Sequence, residues 1–121
     1  MLEKVHRINL LCDFYGQLLT KRQREILELY YKHDLSFGEI AEEYNISRQG
    51  AYDLVNRAVN CLERLEKKLK LFRRFQYQQK KLQEALSILE NEKINPEEHE
   101  TLKKIIVQLL TDQEFDDNEG V

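Results

Sequence analysis

The sequence predicts an all-α protein: a four-helix N-terminal helix-turn-helix domain, followed by a long helix that leads into a C-terminal helical dimerisation region. Three observations point there. A third of the 121 residues are charged while the chain holds one Pro, four Gly and no Trp, the profile of a mainly helical chain. Two capping boxes, Thr20 with Gln23 and Ser36 with Glu39, each mark a helix start, because the hydroxyl can take the third backbone N–H while the long polar side chain reaches back to the cap. Apolar residues also recur three and four positions apart through most of the chain.

Leu2, Val5, Ile8, Leu11 (or Leu10), Phe14, Tyr15 and Leu18 mark an amphipathic helix over residues 2 to about 17, closed near Gly16. From Thr20 a second helix carries a broad apolar face, Ile26, Leu27, Leu29, Tyr30 and Tyr31, to about Lys32. His33, Asp34 and Leu35 then form a loop. Ser36 opens a short helix with the stripe Ile40, Ala41 and Tyr44, and Ser47 opens the next, with the stripe Ala51, Leu54, Val55 and Ala58. Between them the chain must reverse, and Asn45 is a residue type that tolerates the left-handed conformation such a turn needs. Ile46 plugs the turn. Ala41 is small where two steeply crossing helices need to approach closely.

The helix from Arg48 has no obvious stop. Val55, Ala58, Leu62, Leu65, Leu69 and Phe72 alternate four and three apart, which is a heptad seam, and a seam needs a partner. Leu62, Leu65, Leu69 and Phe72 are therefore expected to line a homodimer, with folding back onto the N-terminal domain as the competing use. The rhythm slips after Phe72 and resumes as Leu82, Leu86 and Leu89, so a kink, phase change or helix break is expected around Arg73 to Gln79. Asn95-Pro96-Glu97-Glu98 reads as a helix start, with Leu102, Ile105, Ile106, Leu109 and Leu110 as its buried stripe. The expected divisions are residues 1–60 for the helix-turn-helix domain, 61–111 for the long helix and dimerisation region, and 112–121 for an acidic, disordered tail.

Turning the apolar stripe of the helix at Arg48 inward leaves Arg48, Gln49, Tyr52, Asp53, Asn56 and Arg57 outward. Arg, Gln and Asn on a helix held up by a shorter one can pair with base edges in the DNA major groove. The net charge of −3 hides an asymmetry: residues 1–75 carry 14 basic and 11 acidic residues, and residues 76–121 carry 5 and 11. A second candidate is the segment 67–77, in which Lys67, Lys68, Lys70, Arg73 and Arg74 are interleaved with Phe72, Phe75 and Tyr77. These side chains could hold the phosphates and bases of RNA, or dock a protein; the plainer use of the same residues is the solvated edge of the seam.

His6, His33 and His99 lie in separate segments, Cys12 and Cys61 are isolated in helical patterns, and no Gly-rich phosphate loop is present. No enzyme, cofactor or metal site is therefore expected. No apolar run approaches membrane-spanning length and no signal peptide is recognisable, so a cytoplasmic protein without membrane insertion is expected.

Two stretches carry a family likeness. Leu19 to Tyr31, with Leu35-Ser-Phe-Gly-Glu-Ile-Ala-Glu-Glu-Tyr-Asn-Ile-Ser-Arg-Gln-Gly-Ala-Tyr52, resembles the C-terminal promoter-binding domain of bacterial sigma factors. Leu10 to Thr20, with Ile46-Ser-Arg-Gln-Gly-Ala-Tyr-Asp53, is similar to the YlxM-like family of small Gram-positive proteins over residues 1 to about 95. The resemblance implies a DNA-binding regulator whose gene neighbours that of the signal recognition particle GTPase, and hence a part in that pathway. It places Arg48, Gln49, Tyr52, Asn56 and Arg57 at the groove-facing positions, with Gly50 and Asp53 as departures from the sigma pattern. Taken with the basic, aromatic residues of segment 67–77, the implied pathway gives the alternative expectation: an accessory protein that binds the particle's RNA or its GTPase through that segment.

Overall fold

A computed structural model describes residues 2–111, and among these no strand is found. The helices are α1 (Leu2–Tyr15), α2 (Lys21–Leu27), α3 (Phe37–Tyr44), α4 (Arg48–Leu69), α5 (Leu71–Leu89) and α6 (Pro96–Thr111). They fall into a first unit that runs through Phe72 and a second that begins at Arg73. The expected acidic tail lies outside the described residues.

Local chemistry sets the ends of the first unit's helices. Both capping boxes form: Thr20 Oγ1 accepts from the Gln23 N–H at 3.1 Å, Ser36 Oγ accepts from the Glu39 N–H at 3.1 Å, and each reciprocal bond is 3.0 Å. The amide and hydroxyl of Ser36 also hold the Glu39 carboxyl below the usual carboxylate range. Past Leu27 the helix widens into a π-helical turn, Glu28–Lys32, in which the His33 N–H donates to the Glu28 carbonyl at 3.0 Å. Widening shifts the helical phase, so Leu29, Tyr30 and Tyr31 all pack partly against the core. Asp34, left-handed at φ 59°, then turns the chain into α3.

The core of this unit is drawn from all its helices. Ile8, Leu11, Tyr15, Ile26, Leu27, Ile40, Ala51, Val55, Ala58, Leu62 and Phe72 are buried in one cluster. Three residues of the expected intermolecular seam are thus used within the chain: Leu62 is fully buried, Phe72 is buried, and Leu65 is half-buried against the same cluster. The reason is geometric. A stripe with heptad spacing fits a bundle of the chain's own helices as well as it fits a second copy. Of the four residues only Leu69 is exposed.

The expected break also lies elsewhere. α4 ends at Leu69, Lys70 is left-handed at φ 56°, and α5 runs without interruption through 73–79. What turns the chain is a buried polar junction. Glu66 Oε1 accepts from the Tyr15 hydroxyl at 2.6 Å and from the Phe72 N–H at 3.1 Å, while the Tyr15 oxygen accepts from the Leu71 N–H at 3.0 Å. The first N–H groups of α5, which have no partner in their own helix, are thereby satisfied from α1 and α4. Burial, reinforced by the bond to Glu66, pushes the Tyr15 phenol up to about 12.

In the second unit Asn95 caps α6, its Oδ1 accepting from the Glu98 N–H at 2.7 Å, and Pro96 occupies the first helical position. Ala85 of α5 and Leu102 and Ile105 of α6 form a small buried cluster, with Ile88 and Leu109 packed against it. No helix of the described residues is long and apolar enough to cross a membrane.

Candidate nucleic-acid interface

The candidate surface is built on the turn between α3 and α4. Asn45 is left-handed at φ 55° and ψ 49°, and the Ile46 N–H donates to the Ala41 carbonyl at 3.0 Å, closing α3 with a Schellman-type bond. Ser47 Oγ then accepts from the Gly50 N–H at 2.9 Å and opens α4. A Cβ on Gly50 would meet Ser47 Oγ at 3.1 Å and Ile46 at 3.8 Å. The missing side chain therefore makes room for the turn itself. Ala41 is buried as expected where the two helices meet.

α3 is held in place from α2. The Arg22 guanidinium lies over the Tyr44 ring at 5.3 Å, and the Tyr44 hydroxyl donates to Glu25 at 3.4 Å. Burial and the nearby Glu25 carboxylate raise the Tyr44 phenol above its ordinary value. A chain of rings steadies the other side: Tyr30 is edge-on to Tyr31 at 4.9 Å and stacked on Phe37 at 4.7 Å, and Phe37 meets Tyr52 edge-on at 5.3 Å. These contacts tie the first turns of α4 to a rigid frame.

On that frame Arg48, Gln49, Tyr52 and Arg57 are exposed and Asn56 is half-buried. Phe37, Arg48, Gln49 and Tyr52 line one open hollow of about 440 Å³. Asp53 lies one turn beyond Gln49 and accepts from its Nε2 at 3.1 Å. The carboxylate thus orients the amide, whose oxygen and second hydrogen remain to pair with a base edge. The basic-aromatic candidate is divided: Lys67, Lys68 and Lys70 belong to the first unit, Arg73 and Arg74 to the second.

Sequence reasoning missed Phe37, whose signal was an aromatic residue directly after the capping Ser36. It also missed Arg64, which continues the outward face of α4 one heptad beyond Arg57. Cys12 and Cys61 are unpaired, half-buried thiols, and burial raises the Cys12 thiol above its ordinary value.

A family model described as "Putative helix-turn-helix protein, YlxM / p13 like" matches residues 2–106. The chain belongs to this family, UPF0122. Among its relatives, a UPF0122 protein of Desulforamulus reducens is 43% identical over 111 residues, covering 90% of this chain and 95% of the relative. One from Bacillus mycoides is 47% identical and one from Bacillus cereus 46%, each over 108 residues, covering 87% of this chain and 96% of the relative. The UPF0122 match extends past the expected limit near residue 95 and into α6.

Proposed function

We propose that this UPF0122 chain is a DNA-binding regulatory protein that lays the first half of α4 in the major groove, in the manner of the sigma promoter-binding domain. The observation that carries the reading is the outward projection of Arg48, Gln49 and Tyr52 from a capped, ring-braced helix start. Arg48 and Gln49 meet base edges, Tyr52 offers an apolar face, and Asn56 and Arg57 flank them.

The protein acts in the cytoplasm as a homodimer, which sets two copies of α4 about one duplex turn apart, roughly 34 Å, or a multiple of it. In support, Leu82, Leu86 and Leu89 on α5 are exposed at heptad spacing and offer a second copy an apolar strip. We propose further that the regulator acts in the signal recognition particle pathway, the role that the resemblance to YlxM-like proteins implies.

The test is a selection from random duplex DNA and from total cellular RNA on one preparation. DNA enrichment is expected, and Arg48→Ala should flatten the selected sequence preference, by about 1–3 kcal/mol at the base contacted. RNA enrichment without DNA enrichment would move the site to Lys67, Lys68, Lys70, Arg73 and Arg74. Neither pool responding would refute the reading.

A further inference from the structure

Beyond the reading turns, the outward face of α4 continues as a cluster of hydrogen-bond donors. Arg57, Asn60, Arg64 and Lys67 follow one another at three- and four-residue steps, so they share one side of the helix, and all four are exposed. With Gln23 of α2 and Glu63 they line an open hollow of about 670 Å³. The acid in this ring is already engaged: Arg7 donates from two nitrogens to the two oxygens of Glu63, both at 2.9 Å. Gln23 uses its oxygen on the Thr20 N–H at 3.0 Å, which leaves its amide hydrogens as donors. What the hollow offers is three cations and two amides, the donor set for an anion.

We infer that this hollow is a phosphodiester-binding site, which holds the sugar-phosphate backbone of the duplex whose groove the first half of α4 reads. The inference rests on the DNA-binding reading and adds to it residues that set affinity and register without reading sequence. Length along the helix separates the two roles. At 1.5 Å per residue Arg64 lies about 24 Å and Lys67 about 28 Å beyond Arg48. A major groove is about 12 Å wide, so side chains that far from the reading turns lie past its floor, where they meet backbone oxygens. Arg57 and Arg64 are two turns apart, about 10.5 Å along the axis, a spacing that long basic side chains can adjust to neighbouring phosphates on one strand. Three cations outweigh the one acid of the hollow, and the pairing of Glu63 with Arg7 keeps that carboxylate from competing with an anion there, in a chain of net charge −3.

The experiment measures binding of the full chain to a selected duplex and to an unrelated duplex of equal length, by fluorescence anisotropy between about 50 and about 200 mM salt. Arg64→Gln with Lys67→Gln should weaken both duplexes alike, roughly tenfold near 0.1 M salt, and lower the slope of log affinity against log salt by about 2. The preference for the selected duplex should be unchanged. Arg64→Lys with Lys67→Arg should restore the slope, and thermal melting of the Gln variant should match that of the parent, because both side chains are exposed. Arg48→Ala with Gln49→Ala should do the reverse, removing preference and changing the slope by about one at most. A wild-type slope in the Gln variant overturns the phosphodiester site alone, whether the hollow is bare surface or a seat for an acidic protein. Failure of the parent to bind either duplex at low salt overturns the DNA-binding reading and this site with it.

Discussion

The two units are built from helices of similar apolar patterning, yet only one of them closes its core. In the first, Ile8, Leu11, Tyr15, Ile26, Leu27, Ile40, Val55 and Leu62 are almost wholly removed from solvent. In the second, Ala85, Leu102 and Ile105 are buried while Leu82, Leu86, Leu89, Ile106 and Leu110 stand between 51% and 80% exposed. The lesson concerns helix number. Four helices can surround a shared centre, but two bury one face each and leave the others wet. Charge differs between them as well: residues 1–72 carry 12 basic and 11 acidic residues, close to balance, and residues 73–121 carry 7 and 11.

The largest effect is expected from opening the closed core. Leu62→Ala should destabilise the first unit by about 2–5 kcal/mol in denaturant unfolding. The loss should be independent of protein concentration, because the Leu62 side chain packs inside its own chain; a loss that vanished at high concentration would return this residue to an intermolecular seam.

Next comes the junction at Lys70. Tyr15→Phe removes the hydrogen bond to buried Glu66 and the acceptor for the Leu71 N–H, and should cost about 1–3 kcal/mol. The pH dependence has a definite sign. The phenol's folded value of about 12 lies above its ordinary 10, so this stabilisation is complete below pH 10 and is lost as pH rises through about 12. Alkaline unfolding followed by circular dichroism should show that loss in the parent and lack it in Tyr15→Phe.

A third test addresses the open unit. Leu82→Glu with Leu86→Glu should convert the proposed homodimer into a monomer in sedimentation velocity, while the first unit's unfolding midpoint moves by no more than the equivalent of about 0.5 kcal/mol. A double variant that stays dimeric would place the contact elsewhere. The smallest effect is expected at Gly50→Ala. A gain of up to about 1 kcal/mol in helix propensity is set against a Cβ only 3.1 Å from Ser47 Oγ, so the net change in melting should stay within about 0.5 kcal/mol of zero.

Comparing residues shows where legibility ended. Thr20, Ser36, Asn45 and Ser47 were readable because a cap or a left-handed turn is settled by side chains within three or four positions. Leu62 and Phe72 pack into the chain's own core although their spacing also fits a seam between chains, because spacing reports that a face is apolar and says nothing of whose helix covers it. The break at Lys70 was missed for a related reason: Lys is not a residue type that announces a left-handed turn, and the bonds that hold it there come from Tyr15, 51 positions from Glu66. Phe37 and the hollow at Arg64 needed neighbours on other helices before they meant anything.

By itself the sequence determined the starts of α2, α3, α4 and α6, the small Ala41 contact and the outward side chains at the head of α4, since each depends on interactions within a turn or two. Only the tertiary structure decided that the heptad stripe closes an internal core, that the Glu66 carboxylate and the Tyr15 hydroxyl turn the chain at Lys70, and that Arg7 neutralises Glu63 beside a cationic hollow. Those outcomes depend on which distant side chains meet, and meeting is fixed by how helices pack, which no local pattern encodes.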